Sequence, residues 1–206
     1  MKHLNIQALL FDLGGVLIEL DFDRAFEYWQ PISKLSVAEI KSRFSFDIPY
    51  QQLERGQLSA DEYFEHLCHI LQLEPDFEHI QTGWNAIFPG EITETRQLVE
   101  NVRANFPCYL LSNTNAVHKS AWSQQFPQVV QAFERLFISS EMGCRKPERA
   151  AFNHVAETLG IPLEAIMFFD DLLENVNGAT AAGLTGVHVT CPGDIRTALQ
   201  QLGCKV

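Results

Sequence analysis

The sequence predicts an α/β protein: a doubly wound parallel sheet with a small all-helical segment inserted after the first strand. Three observations predict it. Apolar runs of strand length recur, each stopping at a polar residue. Beyond residue 90 these runs alternate with stretches of helical periodicity. Residues 20–88, by contrast, hold helix signals and no clear strand run.

The first strand lies within residues 6–16, IQALLFDLGGV. Ile6 to Phe11 is apolar apart from Gln7 and stops at Asp12, which reads as a buried strand of a parallel sheet. A carboxylate at the carboxyl end of such a strand stands where open α/β sheets place their ligands. Gly14 and Gly15 allow a sharp turn and a close approach to the backbone. Taken alone, Asp12 reads equally well as a cap on that turn.

The insertion follows. Ser36-Val37-Ala38-Glu39 and Ser59-Ala60-Asp61-Glu62 both match the capping box, in which serine and glutamate satisfy each other's free amides. Behind the second box Phe64, Leu67, Cys68 and Leu71 recur at helical spacing. Pro75 marks a turn before a helix over 76–87, and Pro89-Gly90 closes the segment.

Strands and helices then alternate. Residues 92–105 read as a helix with Leu98 and Val102 inward. Cys108 to Leu111 is a strand ending at Ser112-Asn113. Residues 115–134 are helical in part, and Leu136 to Ile138 is a short strand. Pro147 suits the first turn of a helix that carries Phe152, Val155, Ala156 and Leu159 on one face and stops at Gly160. Ile166 to Phe169 is a strand ending at Asp170-Asp171, and a helix over 172–182 ends at Gly183. Val187 to Val189 is the last strand, and Asp194 caps a final helix ending at Gly203. This alternation predicts a parallel sheet with right-handed crossovers.

Composition narrows the function. The 206 residues suit one α/β domain with a modest insertion, and 46% hydrophobic with 20% charged residues is ordinary for a globular protein. A net charge of -11 argues against general binding to nucleic acid or an anionic membrane, which rests on lysine and arginine. The five cysteines are odd in number and form no CxxC pair, so they read as reduced and structural, as in a cytoplasmic protein. No signal peptide and no membrane span is expected. A monomer or small homo-oligomer is expected, with a small phosphorylated metabolite as its partner.

That last expectation comes from four strand ends. Asp12, Ser112-Asn113, Lys146 after the third strand and Asp170-Asp171 all fall on one edge of a parallel sheet. Clustered carboxylates make a hard oxygen site suited to Mg²⁺. Lys146 adds a cation, and Ser112 and Asn113 add donors for anionic oxygens. Together these make a phosphoryl-transfer site.

At these residues the chain resembles the haloacid dehalogenase (HAD) superfamily. FDLGGV is similar to its first motif, LLSN to the second, the lysine of GCRKPE to the third and FFDD to the fourth. The resemblance implies a HAD-like Rossmannoid core, residues 1–16 and 90–206, with a helical cap domain at 17–89. It implies that Asp12 is the nucleophile and also a metal ligand. The carbonyl of Gly14 and the Asp171 carboxylate complete the Mg²⁺ ligands, with Asp170 holding waters or the metal. Ser112 and the Asn113 amide hold phosphoryl oxygens, and Lys146 neutralises Asp12 and the transferring group.

One position departs from the pattern. Family phosphatases usually carry a second aspartate two residues after the nucleophile, as general acid and base; here Gly14 stands there. Such a group is worth about 10²–10⁴-fold in rate. The loss is tolerable when the leaving oxygen is weakly basic, as in a sugar 1-phosphate. ERG at 54–56, GW at 83–84, LSNTN at 111–115 and RKPE at 145–148 are most similar to the α-D-glucose-1-phosphate phosphatase branch, whose members also lack that aspartate. One alternative is a catalytically impaired relative that binds a phosphorylated ligand or a partner. A metal-free 2-haloacid dehalogenase is the other, disfavoured because crowded carboxylates gain nothing without a metal.

Other polar and aromatic residues carry competing readings. His118 replaces the missing acid, or is a helix surface or substrate contact. Arg55 binds substrate or is a solvated surface arginine. Trp84, Trp122 and Phe126 line a sugar pocket or pack between cap and core. Lys146 near Cys144 is expected to depress its thiol pKa.

Overall fold

In the computed structural model, residues 5–206 are described; the first four, which belong to the stretch expected to hold no leader and to the 1–16 core segment, lie outside it. Five parallel strands form one sheet in the order β3-β2-β1-β4-β5. They are β1 Ala8–Phe11, β2 Cys108–Ser112, β3 Arg135–Ile138, β4 Ile166–Asp170 and β5 Thr185–His188. The insertion after β1 carries α1 Asp23–Trp29, α2 Val37–Arg43, α3 Ile48–Glu54, α4 Ala60–Leu71 and α5 Phe77–Asn85. The others are α6 Thr93–Val102, α7 Ala116–Gln125, α8 Pro127–Gln131, the short α9 Ser139–Met142, α10 Arg149–Leu159, α11 Leu173–Ala182 and α12 Pro192–Gln201.

The central strand shows why the sheet is covered on both sides. Alternate residues of β1 point to opposite faces. Ala8 and Leu10 join an apolar cluster with Phe152 and Val155 of α10 and Ala179 of α11. Leu9 and Phe11 join another with Val99 and Val102 of α6 and Ile195 of α12. All four β1 residues are fully buried, as a strand covered on both faces must be. The register sets Leu10 opposite Tyr109 on one side and Phe168 on the other, so the strand ends fall together at one edge.

The helical insertion is built as its caps predict. The Glu39 and Glu62 carboxylates accept from the amides of Ser36 and Ser59 at 2.9 and 2.8 Å, completing both capping boxes. Asp47 and Asp76 cap α3 and α5. Phe64, Leu67 and Leu71 of α4 are buried, and the cluster that holds Leu9 and Phe11 runs on through them to Trp29, Tyr50, Tyr63 and Trp84. Gly83 makes the tryptophan packing possible: a Cβ there would lie 2.3 Å from Trp29 Nε1. Trp29 stacks on Trp84 with ring centroids 6.1 Å apart and donates to the Ile80 carbonyl at 3.0 Å.

The chain enters and leaves the insertion side by side. Glu19 and Asp21 donate their amides to the carbonyls of Gly90 and Ile87, each at 2.9 Å, and Ile92 donates to Leu17 at 2.8 Å. This stem leads directly from the turn after β1.

The structure corrects several boundaries. The last strand is Thr185–His188 rather than 187–189, because Gly186 marks a close approach rather than a break. A Cβ there would fall within 2.9 Å of Val176 and Thr180 of α11. Pro147 precedes its helix, which begins at Arg149; the Lys146–Pro147 peptide is cis and lies in the loop. Asp194 is the third residue of α12 rather than its cap. Cys191 is the N-cap, and the Asp194 carboxylate accepts from its amide at 3.1 Å. Helices α1 and α3, absent from the sequence reading, have seven residues each, too few turns for a periodicity to stand out.

Candidate active site

Asp12 follows β1 directly, and its amide extends the ladder by donating to the Phe169 carbonyl at 2.8 Å. Asp170 closes β4 and Ser112 closes β2, so the parallel register carries all three to the carboxyl edge. Lys146 arrives from the loop after α9. Its ammonium lies 2.6 Å from Asp12 Oδ1 and 2.7 Å from Asp170 Oδ2. Asp12, Lys146 and Asp170 are all buried, at 8%, 1% and 0% exposure. A buried lysine of this kind is tolerable only because it is paired.

Several contacts fix this arrangement. Asp170 Oδ1 accepts from the Leu172 amide at 2.8 Å and from Asn175 Nδ2 at 3.0 Å; Asn175 also reaches Oδ2 at 3.1 Å. With Lys146 added, Asp170 is an anchor whose lone pairs are occupied. Asn113 Nδ2 donates to the Lys146 carbonyl, and Asn113 Oδ1 accepts from the Lys146 amide. The Asn113 side chain is therefore committed to the loop. Gly178 of α11 seats the same loop, since a Cβ there would lie 2.6 Å from Pro147. Asn175 was missed from sequence. Its signal was a polar residue on the buried face of the helix after FFDD.

Asp171 stands at the rim, half-buried. Gly15, at φ +73°, lets it approach: a Cβ on residue 15 would fall 2.3 Å from Asp171 Oδ2. Oxygen atoms of Asp12, Asp170 and Asp171 lie within 4.8 Å of one another. Three carboxylates face one ammonium there. Burial, together with the charges of Asp170 and Asp171, pushes the Asp12 carboxyl up to about 8 against the pull of Lys146. Burial and Asp170 also raise Asp171. For Lys146 burial acts downward, and the two carboxylates overcome it, holding the ammonium above its ordinary range. An all-oxygen donor set with surplus negative charge fits a hard divalent cation such as Mg²⁺. Asp12, Asp170 and Asp171 are the carboxylates gathered closely enough to hold it.

Gly14 supplies no side chain at the position two residues after Asp12 where a general acid is expected. A Cβ on Gly14 would lie 2.4 Å from Leu20 Cδ1, so a leucine covers the place. His118 is no substitute. It is buried, stacks on Trp84 at 4.4 Å, and its Nε2 lies 2.9 Å from the Trp84 carbonyl. Burial pushes its pKa down to about 3, so it is neutral and donates to that carbonyl from Nε2. Trp84 and Trp122 are fully buried and Phe126 is buried, which makes them packing residues. Arg55 is neither solvated nor free: it donates to Glu148 and to the Gln51 carbonyl. Burial and Glu148 raise the Cys144 thiol, contrary to the depression expected from Lys146. The five cysteines are free. No helix among the described residues is long and apolar enough to cross a membrane.

A doubly wound sheet bearing a buried lysine and three carboxylates at its carboxyl edge defines a hydrolase of the carboxylate-centred α/β type. The chain belongs to the haloacid dehalogenase-like hydrolase family, whose model matches residues 6–183. It is 28% identical over 180 residues to D-ribitol-5-phosphate phosphatase of Bacteroides thetaiotaomicron, covering 84% of this chain and 86% of that protein. It is 29% identical over 201 residues to phosphatase MT3486 of Mycobacterium tuberculosis, covering 94% and 91%. Among solved structures it is similar to a HAD family enzyme from Bacteroides thetaiotaomicron in complex with magnesium and inorganic phosphate. That similarity has a TM-score of 0.78 and 31% identity, over 89% of this chain and 93% of the other.

Proposed function

We propose that this chain is a magnesium-dependent phosphatase that hydrolyses a small phosphate monoester through an aspartyl phosphate on Asp12. In this reading residues 1–16 and 90–206 are the catalytic core, and residues 17–89 are a cap over the site. The observation that carries it is the Lys146 ammonium held between Asp12 and Asp170, 2.6 and 2.7 Å away, inside a buried cluster of carboxylates. The relatives named as phosphatases, and the similar enzyme solved with magnesium and phosphate, support it.

The chain's own residues divide the work. An Asp12 oxygen attacks phosphorus, and the bond to the leaving oxygen breaks with its electron pair going to that oxygen. Lys146 offsets the repulsion between the attacking carboxylate and the phosphate dianion. Ser112 and the Asn113 amide hold the non-bridging oxygens. Water then attacks the phosphorus of the aspartyl phosphate, releasing phosphate and restoring the carboxylate. Asp12, the Gly14 carbonyl and Asp171 would hold a bound Mg²⁺, which would supply further positive charge at the phosphoryl oxygens. With Gly14 in the acid's place, no side chain protonates the leaving oxygen, which takes its proton from water; the water that attacks the aspartyl phosphate returns one. Esters of weakly basic leaving groups, such as sugar 1-phosphates, are therefore favoured. In this reading the near-complete burial of Asp12 and Lys146 requires the cap to open before the substrate enters.

The test is phosphate release from a panel of sugar 1-phosphates, sugar 6-phosphates and polyol phosphates, with and without Mg²⁺, beside Asp12→Asn. Mg²⁺-dependent release abolished by the substitution is the expected result, with 1-phosphates turned over faster than 6-phosphates. An inert wild type that still binds Mg²⁺ and phosphate favours the binding-protein reading, which Gly14 motivates.

A further inference from the structure

We propose that Glu54 and Arg55, at the end of α3, are positioning residues for Lys146. The inference rests on the phosphatase reading for the meaning of Lys146, and on geometry for the coupling. Two short charged motifs, ERG at 54–56 and RKPE at 145–148, are far apart in sequence and cross-pair in space. Arg145 Nε lies 2.7 Å from Glu54 Oε2. Arg55 Nε donates to Glu148 Oε1 at 2.9 Å, and its terminal nitrogen pairs with the same oxygen. Lys146 lies between the two partners, so the insertion grips its loop on both sides.

The grip is not incidental surface charge. The Glu54 side chain is only 4% exposed and Arg145 19%, and a charge that deep needs its partner. Glu148 ties the loop together as well, since its other oxygen accepts from the Arg145 amide at 3.4 Å. Gly56, at φ +66°, seats the turn so tightly that a Cβ would lie 2.3 Å from the Ser140 carbonyl. Asn113 and Gly178 grip the loop from the core, and Glu54 and Arg55 grip it from the insertion. Lys146 is thus held against Asp12 from both sides only while α3 rests on the core. Closure of the insertion and assembly of the charge-neutralising lysine become one event.

The test compares Arg55→Glu, Glu148→Arg and the charge-swapped double variant, with Arg55→Lys and Glu148→Gln as mild variants should the reversals fail to fold. Thermal unfolding confirms folding. On a panel substrate, positioning predicts that each reversal lowers kcat by about ten- to a hundredfold with little change in KM. It also predicts that the swap restores most of the loss and that Arg55→Lys retains activity. A rise in KM with kcat intact, unrestored by the swap, would mean that Arg55 binds substrate and would overturn the proposal. A second readout is independent of turnover: the crystal structure of a folded single variant. Displacement of Lys146 Nζ beyond about 4 Å from Asp12, the ion-pair limit, supports the coupling, and an unmoved lysine overturns it. An inert wild type defeats the phosphatase reading alone, leaving the structural readout to judge the coupling.

Discussion

Asn113 grips the main chain of Lys146 from both sides, donating to its carbonyl and accepting from its amide, each at 2.9 Å. The side chain thereby fixes the phase of a loop whose ammonium must meet two carboxylates at once. Asn113→Ala removes both bonds and is expected to cost about 1–3 kcal/mol of stability. It is expected to lower kcat at least about tenfold through misplacement of Lys146. Asn113→Asp keeps the acceptor but sets a carboxylate oxygen against the Lys146 carbonyl, so it should recover little of the loss. Denaturant unfolding and steady-state kinetics on the same preparations check both.

Gly15 is the residue that admits Asp171. Gly15→Ala puts a methyl group 2.3 Å from Asp171 Oδ2 in a left-handed backbone conformation, φ +73°. The conformation costs about 1–2 kcal/mol for a residue with a Cβ, and the clash moves the carboxylate as well. Mg²⁺ affinity should fall about tenfold or more, since orienting a ligand by its surroundings is worth that much. Calorimetric titration of the metal-free protein measures it.

His118 makes stability pH-dependent. Its folded pKa, about 3, lies below the ordinary value of 6.5. Below pH 6.5 the unfolded chain takes up a proton that the folded chain refuses. The stabilisation is therefore fully present above pH 6.5 and declines as the pH falls from there towards 3. His118→Gln should flatten that part of the stability curve. It should leave the shape of the kcat–pH profile unchanged, because His118 transfers no proton. Thermal unfolding across pH 4–8 and a parallel rate profile test the two halves.

Gly83 is closed to any side chain. Gly83→Ala sets a Cβ 2.3 Å from Trp29 Nε1 and 2.6 Å from Cδ1, in a stack that cannot yield without parting Trp29 from Trp84. A loss of about 1–3 kcal/mol is expected. Chemical denaturation followed by tryptophan fluorescence reports stability and stacking together.

Much of the site was legible because parallel strands convert sequence order into a shared edge. Once Ile6–Phe11, Cys108–Leu111 and Ile166–Phe169 read as strands, Asp12, Ser112 and Asp170 had to meet. The two capping boxes were legible for a similar reason, since their bonds lie within four residues. What was hidden depended on pairing across space. Arg55 looked like a solvated charge because Glu148 is distant in sequence. His118 looked available because nothing nearby announces that Trp84 will cover it. Asp170 read as holding waters or the metal beside Asp171, yet Leu172, Asn175 and Lys146 bond to it while Gly15 leaves Asp171 at the rim.

The paired stem at Leu17–Asp21 and Ile87–Ile92 has a consequence for how such proteins can change. Its hydrogen bonds bring the two ends of the insertion together, so the sheet registers only a closed junction between β1 and β2, whatever lies beyond. Closing a chain at fixed ends depends only weakly on its length, by about 0.6 kcal/mol per doubling. A longer, shorter or differently folded insertion can therefore be exchanged above this junction without moving Asp12. New chemistry of recognition is open to the fold at little expense to the machinery beneath, provided the replacement again presents paired charges to Arg145 and Glu148.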